Sequence, residues 1–428
     1  MRIPTSIHLC SWLVLFSLFS VSPAFAHNDD QQKDTTVSQE ASSTRPERGD
    51  KKVLFLPGAT YNADDGVGVG FIASIRWPGP ESEKGRPYHW DLSSIALAYF
   101  NPQPNAWGVS AKASWFPLPD GSREVQFIVH TIGWSQAWYA TPGPTGAVEA
   151  WRRSEDDEVT DPWHRYGIYD LTLGSRISQR LRGGLSVQAG LRIDYDHLNI
   201  RPDTLLDQQS RAGFVIAPTH AIAATGEISL TFDTAQPTLD PTQGGVARGS
   251  LYLTAGSAGT HGKALLDLRA YTRLGPSGPV VLAGTLIGQI QWGAVPFYEL
   301  SVLGDPAPKP RLSTGARSLR GLRRGQLRGP LNLLAMSELR FRLPTIRIKK
   351  LSALTQLVLS FDAVWVDTYA SVGERLTPHP GLGGGIRVVL NKQLVVHVDV
   401  ATAPQTTILP TDLEVWGIRG YASVDHVF

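Results

Sequence analysis

The chain runs to 428 residues with 42 Gly, 12 Trp, 12 Tyr and 14 Phe, and its 40 Lys and Arg nearly balance 38 Asp and Glu, for a formal net charge of +2. That balance offers no electrostatic argument for a nucleic-acid partner. Beyond the N-terminus no stretch reaches the ~20 uninterrupted apolar residues of a membrane helix, which excludes a helical membrane protein. A large soluble β-protein or an outer-membrane barrel remains, since alternating strands average their hydropathy away.

Arg2 and His8 precede an apolar run over 9–19, and the small residues Ala24 and Ala26 prepare cleavage before His27. Residues 1–26 therefore read as a secretory signal peptide. The only cysteine, Cys10, lies within the expected signal peptide, near the start of that apolar run, so the mature chain is expected to have no disulfide and no thiolate metal site. Residues 27–50 are polar and charged and are expected to form a disordered periplasmic tail. From 51 to 428 the sequence becomes a single domain of strand-like segments punctuated by Gly, Pro, Asp and Asn.

Alternation is clearest from Leu185 to His197. Leu185, Val187, Ala189, Leu191, Ile193 and Tyr195 share one face, while Ser186, Gln188, Gly190, Arg192, Asp194 and Asp196 share the other. A period of two sends side chains to opposite faces of a strand, and lipid outside with a wet lumen inside suits both sets. The split recurs from Val67 to Trp77 and from Leu394 to Val400, with His397 and Asp399 on the inner face. Length decides between the two architectures: strands of soluble sandwiches run ~5–6 residues, whereas ~9–11 cross a bilayer at a tilt. Strands are predicted near 52–60, 66–77, 89–100, 106–116, 123–139, 165–178, 185–198 and 222–233. They continue near 246–254, 263–274, 280–293, 332–343, 354–366, 381–390, 394–402 and 414–428.

The expected fold is an all-β, transmembrane antiparallel β-barrel of about sixteen strands in the bacterial outer membrane. An even count places both barrel ends in the periplasm. The short connections 181–184, 275–279 and 391–393 then fall on the periplasmic side, and the long ones, 140–164, 199–221, 294–331 and 367–380, fall outside. Phe428, in phase with Trp416, Ile418 and Val424, is expected to be an outward aromatic serving as the assembly signal, with the barrel assembly machinery as its reader. No H-E-x-x-H, G-x-S-x-G or P-loop segment is present, so no enzyme, cofactor or metal is expected. The acidic run 155–158 reads as a solvated loop.

Three further segments carry a resemblance. In 230–245 (LTFDTAQPTLDPTQGG) Pro237 and Pro241 fix φ, and Gly244 and Gly245 supply positive φ for a turn. In 315–330 (GARSLRGLRRGQLRGP) the centre is Leu319-Arg320-Gly321-Leu322. The third comprises 332–343 and 357–367, which read as neighbouring strands. Leu333, Ala335, Leu339, Phe341 and Leu343 on the first face lipid and turn Glu338, Arg340 and Arg342 to the lumen. Leu359, Phe361, Ala363 and Trp365 on the second do the same for Ser360 and Asp362. A guanidinium in a barrel interior needs carboxylates, and phase puts Glu338 and Asp362 where Arg320 needs them.

Together these segments resemble the BamA/TamA family of barrels that insert or translocate other polypeptides. The resemblance implies that 315–330 is the tip of an external loop folded back as a luminal plug, with Arg320 and Gly321 seated by Glu338 and Asp362. Two departures stand out: Leu322 replaces the family's usual aromatic residue, and Ser360-Phe361-Asp362-Ala363-Val364 replaces Phe/Gly-x-Asp-x-Gly. Family members usually carry periplasmic POTRA domains, and 27–50 is too short and polar to form one, so the chain is expected to lack them. The expected function is insertion or translocation of proteins or lipids at the outer membrane, with client polypeptides as partners. A passive channel or structural surface barrel without client handling is the alternative. Arg311, Arg317, Arg323, Arg324 and Arg328 are expected to be solvated or to meet outer-membrane lipids and lipopolysaccharide phosphates. Lys51, Lys52 and Pro57 weaken pairing of the first strand, so its seam with the last strand is expected to offer an openable edge.

Overall fold

The computed structural model describes residues 52–62, 66–78, 88–100, 106–116, 122–137, 165–237, 240–275, 278–304, 311–348, 351–367, 378–390, 394–404 and 416–426. The expected signal peptide and tail, the acidic run 155–158 and Phe428 lie outside the described residues. No helix among the described residues is long and apolar enough to cross a membrane.

Sixteen long strands carry the fold. They are β1 (Lys52–Asn62), β2 (Gly66–Pro78), β3 (Tyr88–Phe100), β4 (Trp107–Trp115), β5 (Arg123–Ala137), β6 (Arg165–Arg180), β7 (Leu185–Ile200) and β8 (His220–Asp233). β9 (Gly244–Gly256), β10 (Gly259–Leu274), β11 (Val280–Gly293), β12 (Leu331–Arg342), β13 (Leu351–Asp367), β14 (Pro378–Leu390), β15 (Leu394–Pro404) and β16 (Trp416–His426) follow. Each pairs antiparallel with the next in the chain. Three-residue Ile346–Ile348 also pairs with the start of β13. Among the described residues, β1 and β16 share ladder pairs only at Tyr61↔Ala422 and Asn62↔Tyr421.

The strands form because the sequence alternates, and the burial of the two faces is reversed from that of a soluble protein. On β7 and β8 the apolar side chains of Leu191, Ile193, Ile222, Ile228 and Leu230 are exposed on the outer face, whereas Asp194, Asp196, Glu227 and Ser229 are buried inside. Hydrocarbon is the solvent that tolerates the first set, and ion pairs between nearby strands along the inner wall satisfy the second. Arg176 and Arg248 both reach Glu227, at 3.1 and 2.7 Å. Such pairs need a register that keeps polar residues inward, because a one-residue slip would turn them all into lipid.

Short turns gather at one end of the barrel. At 181–184 the turn needs Gly184, whose φ is +84° and whose added Cβ would lie 2.5 Å from the Asp233 carbonyl oxygen. The other end carries long connections, and one of them contains structure that alternation does not foretell: the helix α1 (Leu205–Arg211). The Thr204 hydroxyl caps it by accepting from the Asp207 N–H, and Asp207 pairs with Arg211 one turn on, at 2.8 Å. Leu205 and Leu206 turn into the mouth of the lumen and pack with Tyr166, Ile168, Leu198, Phe297 and Leu300. Each such side chain contributes about 1.5–3 kcal/mol by leaving water. The mouth is therefore closed by a small apolar core of ordinary polarity.

Candidate functional site

Between β11 and β12 the described residues 294–304 and 311–330 fold back inside the barrel. Their path is fixed by the barrel wall as well as by themselves. Gln289 on β11 donates to the Val302 carbonyl at 2.7 Å and accepts from the Gly304 N–H at 2.8 Å, while Lys263 on β10 donates to the Gly304 carbonyl at 2.8 Å. Val302–Leu303 pairs with Arg311–Leu312 as a two-residue hairpin. Burial works against the charge of Glu299 in this loop, but Lys263 and Arg192 outweigh it and hold the carboxyl below its usual range. Further on, the Ser313 hydroxyl donates to the Leu327 carbonyl and Thr314 to the Arg323 carbonyl, drawing the ascending and descending arms together.

That frame presents Leu319-Arg320-Gly321-Leu322 to the wall formed by β12, β13, β15 and β16. Arg320 donates from Nε to Asp362 Oδ2 at 2.7 Å and from Nη2 to Asp362 Oδ1 at 2.8 Å, a two-point pairing of planar groups. Its backbone N–H reaches the same carboxylate at 3.3 Å, and Nη1 meets Glu338 Oε1 at 3.4 Å. Burial opposes the guanidinium charge, and the hydrogen bonds and charge of Asp362, with Glu338 behind them, outweigh it and raise its pKa. Glu338 is shared, because Arg340 and Arg387 also bind it at 2.8 and 3.3 Å.

Gly321 is required by space as much as by conformation. Its φ is +96°, and a Cβ there would lie 2.5 Å from the Thr402 carbonyl carbon and 2.6 Å from the Ala403 nitrogen on β15. Its N–H donates to the Tyr421 hydroxyl at 3.2 Å. Tyr421 is also the β16 residue opposite Asn62 at the seam, so one residue touches both the loop tip and the join between first and last strands. Leu319 and Leu322 are wholly buried among Tyr252, Leu265, Leu334, Val364 and Ala403. Aliphatic packing fills the space around both side chains.

The structure thus brings Arg320, Gly321, Glu338 and Asp362 into one cluster. The expectation of solvated flanking arginines is overturned for two of them. Arg328 is buried and donates to the Tyr166 hydroxyl at 2.8 Å, and the Arg324 guanidinium lies 3.8 Å from the centre of the Trp134 ring. The mouth core supplies both aromatic partners, which a loop read by charge alone does not reveal. Sequence reading also missed Tyr421 as the acceptor for the loop tip, because its phase marks it only as inward-facing. The turn before β9 shows in the sequence through its Pro and Gly residues and as one of the three resembling segments, without a role for Asp240. Yet its Asp240 is buried and accepts from Gln356 on β13 at 2.7 Å.

A wall of sixteen antiparallel strands around an internal loop defines a transmembrane β-barrel, and solved barrels share this fold. BamA from Haemophilus ducreyi lacking POTRA domains 1-3 is 15% identical with a TM-score of 0.54, over 87% of this chain and 70% of that one. CdiB from Acinetobacter baumannii is 14% identical with a TM-score of 0.54, over 87% and 59%. CdiB from Escherichia coli is 11% identical with a TM-score of 0.53, over 88% and 67%. No protein-family model matches the sequence. A mitochondrial tRNA modification GTPase from Dictyostelium discoideum is 28% identical over 153 residues, 32% of this chain and 29% of that protein. The chain therefore spans under a third of that curated relative.

Proposed function

We propose that this protein works in the bacterial outer membrane, where it promotes insertion or translocation of client polypeptides through the join between β1 and β16. One observation carries the reading: among the described residues the two strands share ladder pairs only at Tyr61↔Ala422 and Asn62↔Tyr421, while the tip of the loop inside the lumen bonds to that same Tyr421. A barrel that served only as a conduit has no use for a weak seam or a lumen filled with buried loop. An edge with unpaired N–H and C=O groups, by contrast, can template an incoming strand. The fold of BamA and CdiB, and the Arg320 cluster that resembles their family's, support the same reading. In it the short turns face the periplasm and the long connections face outward. The reading is non-enzymatic.

Its test uses Tyr61→Cys with Ala422→Cys in the full chain, reconstituted in liposomes, with a urea-unfolded eight-strand outer-membrane barrel as client. Folding of the client is read by its heat-dependent shift on a gel. The protein is expected to accelerate client folding over empty liposomes, oxidation to abolish the gain and reduction to restore it. Equal rates with the seam oxidised and reduced would overturn the reading, as would a steady large conductance in planar bilayers.

A further inference from the structure

The turn between β8 and β9 reaches into the barrel from the short-turn end. Its Asp240 is buried against β12 and β13. There it accepts from Gln356 at 2.7 Å and pairs with Arg342 at 3.2 Å and Arg340 at 3.7 Å. Two residues on, the Thr242 hydroxyl accepts from Arg273 at 3.4 Å. Arg340 is the element common to both ends of the lumen. Its other face binds Glu338, through Nη2 at 2.8 Å and Nε at 2.9 Å, and Glu338 in turn pairs with Arg320 of the loop tip at 3.4 Å.

We propose that Asp240 is a positioning residue for the luminal loop: by holding Arg340, the turn before β9 sets how firmly Glu338 grips Arg320. This deepens the proposed function and rests on its reading of the loop as a movable plug. The physical reason is competition for one guanidinium. Arg340 sits between two carboxylates, Asp240 and Glu338. With Asp240 charged and in place, part of its attraction is taken up there, and Glu338 keeps a lone pair for Arg320. When the turn moves away, Arg340 and Arg342 lose a buried counter-charge, and Arg340 draws Glu338 toward itself. Arg340 is then left with Glu338 as its one carboxylate, and because an under-compensated buried cation is disfavoured, drawing Glu338 closer is the available response. Arg320 then retains Asp362 alone. Anything that displaces the turn from the periplasmic side would therefore loosen the plug without touching it.

Gln356 marks this as a built arrangement. It lies wholly buried on the wall and donates to the same Asp240 oxygen that Arg342 meets. A turn residue needed only to reverse the chain has no requirement for such partners.

The experiment places a reporter at Ser318→Cys, a buried site beside the loop tip, in the mature chain, and measures its maleimide labelling rate from outside in liposomes without any client. Asp240→Asn is expected to raise the rate about three- to tenfold, the equivalent of about 0.7–1.4 kcal/mol. In a Glu338→Gln background the same substitution is expected to add nothing, because the route passes through Glu338. An unchanged rate for Asp240→Asn overturns the proposal, and so does an equal increase in the Glu338→Gln background. Should Asp240→Asn fail to assemble, Gln356→Ala, which leaves every charge in place, is expected to give a smaller rise. No rise there is equally fatal. Because no client is present, these outcomes stand apart from the seam test: a coupled plug with a seam that never opens retains this inference and loses only the function proposed above.

Discussion

β12 and β13 stay opposite one another from Leu331–Asp367 to Arg342–Gln356, whereas β1 and β16 share only Tyr61–Ala422 and Asn62–Tyr421. The two joins lie in one barrel and obey one hydrogen-bonding chemistry, yet they are built for different lives. The first carries the Glu338 and Asp362 carboxylates inward and is stiffened by the loop it holds. The second is supplemented by a side-chain hydrogen bond from Thr60 to the Ala422 carbonyl at 2.5 Å. Pro57 in β1 also lacks a ladder donor. Strength has been concentrated where the loop docks and withheld at the seam.

Breaking the strong side should have the largest effect. Asp362→Ala leaves the Arg320 guanidinium buried without its two-point partner and is expected to destabilise the docked loop by about 3–5 kcal/mol. Arg320→Ala should do about as much, and the double variant little more; additive losses in loop protease protection would argue against the pairing. Leu322→Ala empties a wholly buried site and is expected to destabilise by about 2–5 kcal/mol in urea unfolding of the detergent-held barrel. Gly321→Ala forces a Cβ against β15 at positive φ, for about 1–3 kcal/mol. Its signature is a loop tip labelled faster while the barrel remains heat-modifiable. Thr60→Val at the weak join removes one hydrogen bond and is expected to matter by about 0.5–1.5 kcal/mol. Amide exchange in β1 should quicken and loop protection should stay as it was. A change in loop protection would mean the two joins are not separable.

Much of the wall was legible because a two-residue period leaves a plain trace: the sixteen predicted segments match the sixteen long strands to within a few residues at their ends. Ordinary phase also placed Glu338 and Asp362 on the inner face, and a buried arginine constrained what it must meet. What escaped notice lay in long-range geometry. Asp240 reads as a turn residue because its partners are about a hundred positions away in sequence, on β12 and β13. Arg328 reads as surface charge because Tyr166, whose hydroxyl accepts its hydrogen bond, belongs to β6. Leu198 keeps the inward phase of Asp194 and Asp196, but it is apolar where the lumen stops being wet. A periodicity tells which way a side chain points and says nothing of what fills the space there.

That small apolar core under the long connections has a thermal consequence. The lipid-facing wall is settled in hydrocarbon, and the Arg320 cluster is electrostatic. The packing of Leu198, Leu205, Leu206 and Phe297 is held by the exclusion of water, as in a soluble domain. Hydrophobic attraction of that kind weakens on cooling. The barrel mouth should therefore be the part that loosens first in the cold, with amide exchange over Leu205–Arg211 rising relative to β7 as temperature falls. A constant ratio would show that the cap takes its stability from the wall beneath it.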